Sequence, residues 1–152
     1  MKTILLAVIF VTFTSIAIIN LRHYKLRLKT VQELIVFFRK YINEVTCFKS
    51  DYESICLSLI DVLSLPTKQM LADRLNIDKY PQIFSHLECK EFYNILSSLG
   101  KHDVEGEEQM TKNAILLLED KAKMYEADLR DKGLLRKKLI FIFGLIVLLI
   151  IL

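Results

Sequence analysis

The sequence predicts an all-α protein: a small antiparallel bundle of about six helices set between an N-terminal and a C-terminal membrane helix. Three observations carry that prediction. Mean hydropathy is +0.34 although 26% of the residues are charged, so the apolar residues are pooled. Residues 3–21 and 139–152 hold them, and neither stretch has an ionisable side chain. Four Gly and two Pro among 152 residues are too few for a turn-rich β protein, and the aliphatic content excludes disorder.

Each element follows in order. Residues 3–21 make about 19 residues, or roughly 28 Å of helix, enough to match a bilayer core. Hydroxyls at Thr12, Thr14 and Ser15 can bond back to helix carbonyls. Ser15-Ile16-Ala17 has the small-x-small form of a cleavage site, but the heavier positive charge follows the segment, which favours a retained anchor over a signal peptide. Beyond it, Val31, Leu34, Ile35, Phe38, Ile42 and Val45 recur at helical spacing, and Phe37, Tyr41 and Phe48 widen that face. Ser50-Asp51-Tyr52-Glu53 reads as a capping box opening a second helix, with Ile55, Leu59, Val62 and Leu63 inward. Pro66 suits the first turn of a third helix reaching about Leu75, and Pro81 opens a short fourth near Ile83 and Phe84. A fifth runs from about Cys89 to Ser98 and stops at Gly100. Asp103 caps the last and longest, where Glu105, Glu107 and Glu108 oppose the helix dipole. Its seam of Ile115, Leu118, Ala122, Tyr125 and Leu129 packs inside the head, with pairing to a second copy as the alternative. Residues 139–152 are only about 14, roughly 21 Å of helix, a short C-terminal anchor helped by snorkelling of Arg136, Lys137 and Lys138, with an interfacial or re-entrant helix as the alternative.

The domain reading is therefore an anchor at 1–21, a helical domain at 22–138 and a second anchor at 139–152. Basic residues flank both anchors on the domain side: Arg22, Lys25, Arg27 and Lys29 after the first, Arg136, Lys137 and Lys138 before the second. The positive-inside bias then places the domain in the cytoplasm and both termini outside. Beside apolar spans, these collars point to anionic membrane lipid as partner rather than to nucleic acid. Cys47, Cys56 and Cys89 show no C-x-x-C spacing and read as buried free thiols.

Motifs of chemistry are sparse. No phosphate-binding glycine loop or nucleophile elbow occurs. His86-x-x-Cys89 lacks a second ligand pair. His102-Asp103 has the adjacent His-Asp of metal phosphohydrolases, leaving a metal hydrolase as a remote alternative; a helix-capping turn is the simpler reading. The expectation is a protein without catalytic residues, cofactor or metal. A membrane-bound regulator or sensor with a ligand-binding helical head is the nearer alternative.

The segment Leu99-Gly100-Lys101-His102-Asp103-Val104-Glu105-Gly106 resembles the leucine-glycine-x-serine-aspartate turn of the stage III sporulation protein AB family. Ile42-Asn43-Glu44-Val45 sits where that family places a glutamate followed by an aliphatic residue. The order of anchor, helical head, acidic final helix, basic collar and apolar tail is similar over nearly the whole chain. His102 replaces the usual serine, Glu107 stands where a glutamine is typical, Lys49-Ser50-Asp51 lacks the family's proline, and Ile140 stands where another glycine often sits. The resemblance implies a component of the channel joining mother cell and forespore in endospore-forming bacteria. It implies a head similar to the cytoplasmic domain of the inner-membrane platform protein of type II secretion and type IV pilus machines. Its partners would be other membrane proteins of the channel and a cytoplasmic secretion-type ATPase. Leu99, Gly100, Asp103 and Glu107 would form a structural turn and partner contact.

Overall fold

A computed structural model describes residues 2–48, 51–59 and 61–151. Side chains at 2–7, 9, 10, 13, 17, 20, 48, 136, 148, 150 and 151 lie outside that description. The described residues form helices and turns, with no strand among them. The elements are α1 (Lys2–Asn43), a π-helical turn (Glu44–Phe48), α2 (Tyr52–Leu59), α3 (Leu65–Ala72), a 3-10 turn (Ile77–Lys79), α4 (His86–Ser98), α5 (Val104–Asp128), a second π-helical turn (Leu129–Gly133) and α6 (Leu134–Ile151). The chain divides into two compact units, Lys29–Ala122 and Met1–Leu28 with Lys123–Leu152.

The Lys29–Ala122 unit is the helical head, built by α1 to α5. That is one helix fewer than the sequence suggests. Pro81 to Phe84 form a single turn, with the Phe84 N–H donating to the Pro81 carbonyl at 3.4 Å. The helix start instead belongs to Ser85, whose hydroxyl accepts from the Glu88 N–H while the Glu88 carboxylate accepts from the Ser85 N–H. Ser85-x-x-Glu88 is a capping signature that the Pro81 reading overlooked, and it moves the start of α4 back to His86. The proposed Ser50 cap lies outside the described residues; α2 follows Asp51, whose carbonyl accepts from the Ile55 N–H at 3.3 Å.

The core of this unit buries Val31, Leu34, Ile35, Phe37, Phe38 and Tyr41 of α1 together with Ile55, Met70, Leu71, Phe92, Leu96 and Leu118 from the other four helices. Phe37 stacks on Tyr41 and meets Phe38 and Tyr52 edge-on, a geometry that aromatic pairs favour. Burying each large side chain in this core contributes about 1.5–3 kcal/mol before entropy is counted. Two inward assignments fail. Val62 is 78% exposed because α2 ends at Leu59, and Cys47 is exposed in the first π-helical turn. Of the cysteines only Cys89 is buried; Cys56 is half-buried. Leu118 of the seam is buried within the chain.

Within this unit α1 and α5 run antiparallel, since Tyr41 reaches Glu107 while Arg39 pairs with Glu119 at 2.7 Å. A second tie starts at Glu33. Its Oε2 accepts from the Ser64 N–H (2.9 Å), the Ser64 hydroxyl (2.5 Å) and the Thr67 hydroxyl (2.5 Å), and Lys29 lies 3.6 Å from Oε1. Ser64 makes no side-chain cap on α3, so Glu33 supplies one from another helix.

In the other unit, the first part of α1 packs antiparallel against the end of α5 and α6. Arg27 lies 4.5 Å over the Tyr125 ring, and a Cβ on Gly133 would stand 3.4 and 3.5 Å from Tyr24 and Leu21. Ser15 Oγ donates back to the Val11 carbonyl at 2.8 Å. The π-helical turn places buried Gly133 at this close approach, with the Leu134 N–H bonded to the Leu129 carbonyl. Among the described residues no helix is long and apolar enough to cross a membrane, so the spans expected at 3–21 and 139–152 are not found there. Residues 3–21 are described only in part, and α6 begins with Arg136, Lys137 and Lys138 in its first two turns, which shortens its uncharged stretch.

Burial raises the Glu33 pKa, but hydrogen bonds from Ser64 and Thr67, with help from Lys29, outweigh it and hold the carboxyl below its ordinary 4.5. A depressed carboxylate pKa gives stability that is present above 4.5 and lost as pH falls through the folded-state value. Glu33→Gln should therefore cost about 1–2 kcal/mol at neutral pH. Urea unfolding of the full chain should show the gap from wild type shrinking in acid; a gap independent of pH would refute the clamp.

Candidate functional site

The segment from Leu99 to Glu107, between α4 and α5, is where the sequence reading concentrates its candidate residues. α4 buries Cys89, Phe92 and Leu96 at three- and four-residue spacing, and that stripe carries the chain to Leu99, itself 2% exposed. The Leu99 carbonyl at the helix end accepts from Arg74 Nη1 at 3.0 Å, so a cation meets the negative end of the helix. Gly100 then turns the chain with φ +77. A Cβ there would meet nothing within 4 Å, so glycine serves the backbone conformation rather than a close contact.

Two backbone N–H groups come next. Those of Lys101 and His102 donate to Glu107 Oε1 at 2.9 and 3.1 Å, and the Tyr41 hydroxyl donates to Oε2 at 3.1 Å. Glu107 is only 4% exposed. A buried carboxylate is costly unless each oxygen is satisfied, and here both are. Asp103 caps α5 as its sequence position implies: Oδ1 accepts from the Gly106 N–H at 3.0 Å, and its carbonyl accepts from the Glu107 N–H at 2.8 Å. Gly106 has a packing reason that sequence reading missed. An added Cβ would stand 2.7 Å from Asp103 Oδ1 and 3.0 Å from the His102 Cβ.

The turn joins a wider polar knot. Arg74 lies 3.8 Å over the Tyr52 ring, the Tyr52 hydroxyl donates to the Leu71 carbonyl, and the Tyr80 hydroxyl donates to the Arg74 carbonyl. The Tyr41 phenol is pushed well above its usual range, first by burial and then by the Glu107 carboxylate. Tyr52, Tyr80 and the Cys56 thiol are also raised, with burial the leading cause in each. All four are held in their neutral forms at physiological pH.

A groove of about 830 Å³ runs beside the knot between α2 and the segment after α3, walled by Tyr52, Cys56, Leu57, Arg74 and Leu75. Three of its charged side chains are engaged within the fold: Arg74 with Tyr52 and Leu99, and Asp73 with Lys79 at 2.7 Å. His102 and Asp103 are exposed neighbours whose ordered contacts belong to the helix cap. Among the described residues no group of three or more His, Cys, Asp or Glu converges to hold a metal ion.

Of the collar residues, Arg22, Lys25, Lys137 and Lys138 are exposed in the terminal unit, and Arg27 is partly covered by its stacking on Tyr125. Lys29 belongs to the head, facing Glu33. The Arg136 side chain lies outside the described residues. No family model, curated protein or solved structure matches the chain.

Glu107→Ala strands the Tyr41 hydroxyl and two backbone N–H groups, and should cost about 2–4 kcal/mol in thermal or denaturant unfolding. Glu107→Gln should cost about 1 kcal/mol, because the amide oxygen keeps the backbone donors and the Tyr41 hydroxyl can turn to accept from the amide nitrogen. Equal losses in the two variants would show that the carboxylate is not the organising acceptor.

At Gly100 the open surroundings separate strain from packing. Gly100→Val should cost roughly 1–3 kcal/mol, Asp103→Ala about 1 kcal/mol, and His102→Ala under about 0.5 kcal/mol because alanine keeps the backbone N–H. Unfolding of the three variants side by side checks the order. A destabilised His102→Ala protein would mean the imidazole itself holds the turn.

Proposed function

We propose that this chain is a membrane platform subunit: a non-catalytic helical head, held by its terminal helices, that docks a cytoplasmic secretion-type ATPase to membrane rings in a channel between mother cell and forespore. The observation that carries the reading is the Leu99–Glu107 turn. Where the resemblance to the stage III sporulation protein AB family is sharpest, the chain spends a buried carboxylate, a left-handed glycine and a helix cap on presenting a fixed backbone corner. Lys101, His102 and Asp103 stand exposed on that corner, available to a partner. A rigid exposed loop suits docking, since little ordering entropy remains to be lost on binding.

Membrane attachment is part of the proposal. Val8, Val11, Ile16 and Ile19 on α1, and Leu139, Ile142, Phe143, Ile146 and Leu149 on α6, are between 49% and 80% exposed. So much apolar surface on two neighbouring helices needs a covering, and lipid is the covering that the flanking basic residues favour.

Topology is testable with a native reporter. Cys47 is exposed in the head, so a membrane-impermeant maleimide should leave it unlabelled in intact cells and label it after permeabilisation, with Cys47→Ser as the blank. Labelling from outside would place the head on the wrong face for an ATPase platform.

The docking surface calls for a photo-crosslinking residue at Lys101 in sporulating cells. Adducts to the ATPase or to channel membrane proteins are expected, together with loss of sporulation in Gly100→Val and Glu107→Ala strains that still accumulate the protein. Normal sporulation in both strains and no adduct at Lys101 would overturn the turn's role.

A further inference from the structure

The terminal unit contains a cleft that packing does not explain. Thr14 and Ile18 of α1 face Leu134, Lys137, Lys138 and Phe141 of α6 across a space of about 490 Å³. The four α6 positions follow the i, i+3, i+4, i+7 spacing of a single helix face, so two lysines sit on the side turned toward α1. Helix contacts in apolar surroundings normally use small or apolar residues there. The acidic side chains of this unit are Glu126, Asp128 and Asp131, all ahead of α6; residues 1–28 and 132–152 contain no Asp or Glu side chain. The nearby acidic side chains Asp128 and Asp131 pair with Lys132 and Arg130.

We propose that this cleft is a site for one anionic phospholipid, its phosphate held between Lys137 and Lys138 and an acyl chain lying against Ile18, Leu134 and Phe141. Charge complementarity selects the headgroup. The apolar walls select a lipid over a soluble phosphate, because an isolated anion would leave Ile18 and Phe141 facing an empty apolar gap. The site rests on the membrane reading above but goes further: it separates two lysines from the rest of the basic collar and gives them one ligand. It also accounts for lysines on a helix otherwise as apolar as α6.

The full chain, reconstituted in nanodiscs of mixed phosphatidylcholine and phosphatidylglycerol, is extracted in mild detergent, and the retained lipid is read by native mass spectrometry. Retention of phosphatidylglycerol over phosphatidylcholine is expected. Lys137→Gln with Lys138→Gln should lower it roughly ten-fold or more. Arg22→Gln with Lys25→Gln, outside the cleft, should leave retention within about two-fold, and Lys137→Arg with Lys138→Arg should preserve it. Equal loss in the Arg22/Lys25 and Lys137/Lys138 glutamine pairs would reduce the site to a general collar and overturn the proposal. So would displacement of the lipid by millimolar inorganic phosphate. Flotation with vesicles of either composition keeps the two readings apart. A chain that floats with both but retains no phosphatidylglycerol refutes the cleft alone, whereas a chain that floats with neither refutes membrane attachment and the cleft with it. Circular dichroism of the glutamine pair guards against a folding defect, and the arginine pair repeats the test with charge intact.

Discussion

The head turns on one buried carboxylate. Glu107 draws a hydroxyl from α1 and two backbone N–H groups from the α4–α5 turn onto its two oxygens, and so ties the start of α5 and its own turn to a helix 66 residues away. Its neighbourhood is arranged around that need. Gly100 aims the next two N–H groups at the carboxylate, Asp103 starts α5 so that Glu107 comes at its first turn, and Gly106 stays small to let the cap close. Arg74 completes the corner from the other side by taking the Leu99 carbonyl. A network of this kind is stable only when complete, since each lost partner leaves a buried polar group facing a low dielectric.

Glu33 repeats the device at smaller scale. A carboxylate on α1 closes the N-terminus of an eight-residue helix that lacks a side-chain cap of its own. Short helices are marginal alone, so α3 depends on this tie and on burial of Met70 and Leu71. Both carboxylates work through α1, which also carries the largest share of the aromatic core. The proposed platform role draws on this economy: one long helix organises the head and also enters the terminal unit, where the proposed lipid site lies.

Much of the fold was legible in the sequence. The stripe from Val31 to Phe38, the start of α3 at Pro66, the stop at Gly100 and the cap at Asp103 follow from spacing and local chemistry, and the structure has them where expected. The errors have local causes. A proline after a 3-10 turn has the look of a helix start, whereas Ser85-x-x-Glu88 holds the stronger signal. Val62 continued an apolar period past the point where α2 ends. In the candidate site, residue type gives Gly100 and Asp103 their roles, whereas it marks Glu107 as a favourable charge at a helix start and as a member of the turn without naming the donors it collects.

What the sequence by itself determined is whatever depends on neighbours within a turn or two of the chain: helical class, caps, the left-handed glycine, the apolar ends and their basic flanks. Tertiary structure alone decided the partners. Tyr41 meets Glu107 across 66 residues, and Thr67 meets Glu33 across 34. Lys137 and Lys138 come to face Thr14 and Ile18 across nearly the whole chain. Periodicity reports which face of a helix is covered, but not what covers it. A buried carboxylate finds its donors only after the helices have docked, because their mutual register is set by side chains packing in three dimensions.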